Sequence, residues 1–216
     1  MNLYLVSGLG ADKRIFQKLV LPDSFHIHHI EWVPVSEKET MEEYCLRLTG
    51  QIDQGQPFSL IGVSFGGVVS IQMSKHLSPV QTVIISSFCF RQEVSAMYTF
   101  LGRIRLYRII PTTLFLKPNR VLYYLFGVKT GEEKELLKSI LADTDPVFFR
   151  WAINQLFSWN NSRKPENLIH IHGTADKILP YHENMNAIPV EGGGHLMVFS
   201  KAAIISRILE EHLLKH

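Results

Sequence analysis

The sequence predicts an α/β fold on a mostly parallel sheet, and two observations carry that prediction. Short, nearly uninterrupted apolar runs alternate with helix-like segments. Strands separated by helices imply crossovers, hence parallel pairing with helices on both faces. The runs also lack polar alternation, as expected of strands buried on both sides.

The elements follow in order. Asn2–Val6 is a short apolar run ending at the loop signal Ser7-Gly8-Leu9-Gly10. Phe25–Val33 is β-rich and stops at Pro34. Thr40–Asp53 carries Met41, Tyr44, Cys45, Leu48 and Ile52 near a 3.6 period, with acidic residues early, which predicts an amphipathic helix. Phe58–Val63 is a third strand, and Ser64-Phe65-Gly66-Gly67 opens a helix running to about His76. Thr82–Ser86, Leu168–His172 and Ala187–Val190 complete the strands, and Lys201–Leu214 closes the chain as a helix.

Residues 88–165 interrupt this pattern. They hold 12 Lys+Arg against 6 Asp+Glu and 14 of the 23 aromatics. Glu132–Leu141 and Val147–Phe157 read as helices and no strand stands out. A helical cap inserted into a core of residues 1–87 and 166–216 is the economical reading; the alternative is a small helical domain with its own core.

Composition bounds the function. With 216 residues, 46% of them hydrophobic and 19% charged, the chain has material for one sizeable core. A formal charge of +2 does not suggest a nucleic-acid binder. Cys45 and Cys89 form no CxxC pair, so neither a disulfide framework nor a zinc site is indicated. His26, His28 and His29 share one strand and His170 and His172 another, but no cysteine or carboxylate cluster joins them; no metal site is expected. No run approaches a membrane span, and the first residues lack the charged region and long apolar run of a signal peptide, so a cytoplasmic protein is expected.

The sharpest chemical signal is Gly62-Val63-Ser64-Phe65-Gly66, a G-x-S-x-G pentapeptide between a strand and a helix. A serine in so tight a turn is pushed outward at the carboxyl end of the sheet, and glycines two before and two after relieve backbone crowding. Such a serine needs a base, and the base an orienting acid. Asp176 follows one later strand and His195 the next, after three glycines, in the order Ser…Asp…His. Leu9, in the first loop, and Phe65, after the serine, are the candidate N–H donors to an oxyanion.

The segments SGLGADKRIF, LIGVSFGGVVS, IHGTADKILP and EGGGHLMV resemble those of the α/β-hydrolase superfamily, among its small capped serine esterases and acyl-transfer relatives. The resemblance covers nearly the whole chain outside residues 88–165. It implies a nucleophile at the carboxyl edge of the sheet and a lid inserted after the strand that follows the nucleophile's helix. Family strands expected before the first one here are absent, which predicts a shortened core of about six strands. Where the family often has His-Gly before its oxyanion residue, this chain has Ser7-Gly8. Only 19 positions separate Asp176 from His195, so the helix between them must be short or missing.

The expectation is a serine hydrolase acting on a carboxylic ester or related small-molecule acyl compound, without metal or organic cofactor. Phe88, Phe90, Tyr98, Tyr123 and Tyr124 are the candidate substrate-binding residues, with Phe100 and Phe126 beside them, because aromatics offer large flat apolar surfaces. Arg103, Arg105 and Arg108 read as the polar side of a cap helix. Two rivals stand: the same triad used for elimination or C–C cleavage, and a non-catalytic binding module. The sequence leaves oligomeric state open.

Overall fold

A computed structural model describes residues 1–94 and 116–214. Six strands, β1 (Asn2–Val6), β2 (His26–Ile30), β3 (Phe58–Val63), β4 (Thr82–Ile85), β5 (Leu168–Gly173) and β6 (Ile188–Val190), form one sheet in the order β2-β1-β3-β4-β5-β6. Every neighbouring pair is parallel. Seven α-helices flank it among the described residues: α1 (Met41–Thr49), α2 (Phe65–Met73), α3 (Arg120–Phe126), α4 (Gly131–Asp143), α5 (Pro146–Ser158), α6 (Met197–Ser200) and α7 (Ala202–Leu213). None is long and apolar enough to cross a membrane.

The period of two along each strand divides the core. Leu3, Leu5, Ile61, Val63, Val83 and Ile85 point to one face, against α4, α6 and α7. Tyr4, Val6, Leu60 and Ile84 point to the other, against α1, α2 and α5. All nine residues of α2 are buried, which is why that helix shows no polar side in the sequence. Capping boxes Thr40–Glu43 and Thr130–Glu133 start α1 and α4, and Asp145 with Pro146 starts α5.

Some boundaries differ from the sequence expectation. β2 ends at Ile30 because Glu31–Val33 leaves the sheet for side-chain partners: Glu31 N–H donates to Gln51 Oε1 and Val33 N–H to Tyr44 Oη. α1 stops at Thr49, and Gly50, Gln51 and Ile52 close it with turn bonds to Arg47, Leu48 and Thr49. Five short elements had no sequence signal strong enough to find them: α3, α6 and 3₁₀ turns at Lys13–Phe16, Arg91–Glu93 and Glu183–Met185. Between β4 and β5 the described residues hold helices and one 3₁₀ turn but no strand. Leu136, Leu137, Ile140 and Leu141 of α4 and Phe148 and Ala152 of α5 belong to the two clusters of the sheet, not to a core of their own. Tyr98, Phe100 and the arginines 103, 105 and 108 lie outside the described residues.

Close backbone packing concentrates where β1 and β3 meet α2. A Cβ added to Gly66 would run into the carbonyl oxygens of Val6 and Ser7. Gly66→Ala is therefore expected to cost about 3 kcal/mol or more, or to prevent folding, since the obstacle is backbone. Gly131→Ala, where a Cβ meets nothing within 4 Å, should be neutral or slightly stabilising. Paired thermal melts check the contrast.

Candidate active site

The turn between β3 and α2 sets the first side chain. Ser64 has φ +54°, a left-handed conformation that costs a non-glycine residue roughly 1–3 kcal/mol. Hydrogen bonds hold it there: its N–H donates to Ile85 O at 2.9 Å. Its carbonyl accepts from Gly67 N–H at 3.0 Å and Ser87 Oγ at 2.7 Å. Glycine at positions 62 and 66 is required, because a Cβ on Gly62 would strike the Gly66 carbonyl. The positive end of α2 lies at Ser64.

Asp176 and His195 come from loops after β5 and β6. His195 Nε2 lies 2.9 Å from Ser64 Oγ, and His195 Nδ1 lies 2.8 Å from Asp176 Oδ2. A carboxylate only accepts, so His195 donates from Nδ1 and leaves Nε2 to accept from the serine hydroxyl. The other oxygen of Asp176, Oδ1, accepts the N–H groups of Ile178 and Leu179, both at 2.9 Å. Burial opposes ionisation of Asp176, but the charge and hydrogen bond of His195, then Leu179 N–H and the charge of His172, outweigh it and hold the carboxyl below its usual range. A single 3₁₀ turn, Glu183–Met185, stands between the two loops.

The early loop lies against the serine. A Cβ on Gly8 would sit 3.6 Å from Ser64 Cβ. Ser7 Oγ donates to Ala11 O at 2.6 Å, Trp32 Nε1 donates to the same carbonyl at 3.0 Å, and Ala11 N–H closes onto Gly8 O at 3.0 Å. Ser7 thus fastens the loop from within. Among the described residues, no acceptor takes the N–H of Leu9 or of Phe65.

Among the described residues, the insert meets the loops around this site through Phe126, Thr144 and Asp143. Phe126 meets the His195 ring edge-to-face at 5.5 Å, its carbonyl accepts Leu196 N–H, and Gly127 packs so closely on Gly194 that a Cβ on either would lie 3.0–3.1 Å from the other's Cα. Thr144, between α4 and α5, has Oγ1 2.8 Å from Ile140 O and 3.0 Å from Gly10 O, so its one hydroxyl proton is shared between its own helix and the first loop. Arg14 bridges Asp12 and Asp143, both at 2.6 Å. Of the expected aromatics, Phe88 is buried edge-to-face on Trp159 and walls an apolar cavity of about 170 Å³ with Val94, Ile153, Leu156, Ile178 and Leu179. Phe90 and Tyr123 are half-buried against the two core clusters. Tyr124 is 64% exposed, with Lys177 Nζ 3.3 Å from its ring centre.

The histidines of β2 and β5 find other partners. His28 stacks on Tyr4 and His29 lies tilted on Phe16. His170 and His172 are buried behind Asp176; their i, i+2 spacing puts them on one strand face, and the sequence reading of them as satisfied structural histidines rather than metal ligands named no partner for either.

No protein-family model and no curated protein sequence matches the chain. Solved structures do. MenH from S. aureus superposes with TM-score 0.76 at 15% identity, covering 100% of this chain and 94% of its own. An esterase from Thermogutta terrifontis gives 0.74 at 17%, covering 100% and 90%. A hydrolase from Oleispira antarctica gives 0.73 at 14%, covering 100% and 91%. At such identities the likeness is one of fold.

The buried histidines give the molecule an acid sensitivity. Burial first, and the charge of His172 next, push the His170 imidazole from its ordinary 6.5 to about 4, against hydrogen bonding to the Ser87 and Met185 backbone. Between those pH values the unfolded chain binds a proton that the folded one refuses, so stability falls as pH drops from about 6.5 to 4. Asp176, depressed in the fold, adds loss at still lower pH as its carboxylate is forced to protonate. Urea unfolding should show roughly 3 kcal/mol lost over the His170 window. In His170→Gln the slope there should flatten.

Proposed function

We propose, for a chain that has the α/β-hydrolase fold, that Ser64 is the nucleophile of a hydrolase cleaving a carboxylic ester or related acyl compound through an acyl-enzyme. The observation that carries this reading is the continuous contact Ser64 Oγ, His195 Nε2, His195 Nδ1, Asp176 Oδ2, at 2.9 and 2.8 Å. An esterase among the fold neighbours agrees with it.

The geometry suits each step. Ser64 Oγ attacks the acyl carbon while His195 Nε2 takes its proton; Asp176 stabilises the imidazolium so formed. The carbonyl electrons move to an oxyanion facing the uncommitted N–H groups of Leu9 and Phe65. Collapse expels the alcohol, which leaves with the His195 proton. Water, deprotonated by His195, then attacks the acyl-enzyme and frees the acid and Ser64. Residues 88–165 act as the cap, resting on the His195 loop through Phe126 and on the first loop through Thr144.

We assign the acyl group to the cavity walled by Phe88, Leu156 and Leu179, because its Ile178–Leu179 wall is the turn that holds Asp176. Its volume, about 170 Å³, is close to that of cavities that hold one benzene ring, which favours a short chain or a single ring.

A fluorophosphonate probe should label wild type and not Ser64→Ala. Both Ser64→Ala and His195→Ala should lower kcat by about 10⁴-fold or more with the fold retained. Asp176→Asn should lose about 10⁴-fold by holding His195 in the wrong tautomer. Failure of wild type to label overturns the reading in favour of a binding module, and turnover confined to carbon acids favours elimination or C–C cleavage. Across p-nitrophenyl esters, short acyl chains should be preferred, and Leu156→Ala should move the optimum to longer ones.

A further inference from the structure

Behind the acid lies a buried polar chain that the hydrolytic mechanism does not use. His172 is fully buried on β5, and its Nε2 lies 2.8 Å from the Leu179 carbonyl and 3.6 Å from Asp176 Oδ2. His170, two residues earlier on the same strand face, has Nε2 3.0 Å from Ser87 O and 3.2 Å from His172 Nδ1. Carbonyls only accept, so His172 carries a proton on Nε2 for Leu179 O; His170 Nε2 faces both the Ser87 carbonyl and His172 Nδ1, and a single proton there is shared between the two. Ser87 in turn donates its hydroxyl to the Ser64 carbonyl.

A strand position facing the core is ordinarily apolar, and burying an imidazole there is unfavourable unless each ring nitrogen is satisfied. What these two rings satisfy is the Leu179 carbonyl, at the end of the turn whose N–H groups hold Asp176 Oδ1, and the Ser87 carbonyl, whose own residue pins the serine turn.

We propose that His172, oriented by His170, is a positioning residue for the reaction. By fixing the Asp176–Leu179 turn it keeps Asp176 Oδ2 aimed at His195 Nδ1, and through Ser87 it keeps that turn in register with Ser64. The inference rests on the hydrolase reading. It adds a requirement that His172 present a donor at the Nε2 position.

Asparagine and glutamine separate that requirement from burial of any polar group. An Asn amide nitrogen falls near the Nδ1 position and cannot reach Leu179 O, whereas a Gln amide nitrogen falls near Nε2. In His172→Asn, kcat on a p-nitrophenyl ester should fall by about 10²-fold, the scale of a small misplacement of a catalytic group, with KM changed little. The low-field proton resonance of the His195–Asp176 bond should shift or broaden. His172→Gln should recover most of kcat and restore the resonance. Equal impairment of the two variants, or a folded His172→Asn with wild-type kcat, overturns the proposal. Long-range ¹H–¹⁵N spectra of wild type decide the case even if the Asn variant does not fold: neutral Nε2–H tautomers at His170 and His172 support it, and an Nδ1–H tautomer at His172 overturns it. Wild type that fails to react with fluorophosphonate overturns the hydrolase reading instead.

Discussion

The structure depends on how closely three backbones approach at Ser64. Gly62 and Gly66 let β3, the first turn of α2 and the carbonyls of Val6 and Ser7 come within distances that any side chain would prevent. That approach forces Ser64 to positive φ and faces its hydroxyl toward the His195 loop. The strain is modest beside the ladder and turn hydrogen bonds that hold it, from Ile85, Gly67 and Ser87. The same approach sets the first loop against the serine, so the Leu9 and Phe65 N–H groups belong to one packed junction, not to two independently placed segments.

The insert is bound into the same arrangement. Its buried leucines, isoleucine and phenylalanine complete both faces of the sheet core, while Phe126 and Thr144 touch the His195 loop and the first loop. A lid attached only at its ends would leave those loops free. Here, removing its contacts would loosen the core and the site at once, which couples stability to site geometry.

Much of this was legible in the sequence, and the reasons are local. β1 and β3 were found to the residue because their side chains alternate between two apolar faces and no helical period competes. That Ser64, Asp176 and His195 come together was legible because each stands in a glycine- or turn-marked loop directly after an apolar run. α3 was not, since its seven residues carry no charged partner after Arg120 and its one start signal, Asn119, looks like a loop residue. Nor could sequence say which insert aromatic meets His195: Phe126 and Tyr124 differ by two positions on one short helix, and only the pairing of Gly127 with Gly194 turns the first inward. The role of His172 was hidden for a similar reason, because its partner is a backbone carbonyl seven residues on, placed by a turn.

The short path from Asp176 to His195 has a structural consequence of its own. With only a 3₁₀ turn before β6, the two loops bond directly: Ala175 N–H donates to Gly193 O at 2.9 Å, Thr174 N–H to Val190 O at 3.1 Å, and Gly192 N–H to Thr174 Oγ1 at 2.9 Å. A long helix between them would let the acid and the histidine adjust separately as their supporting elements shift. Joined by three hydrogen bonds, the two loops restrain each other as one packed body. The remaining freedom is the placement of that body against the serine turn, and the contacts that restrict it are the parallel pairing of β4 with β5 and the buried chain through His172, His170 and Ser87.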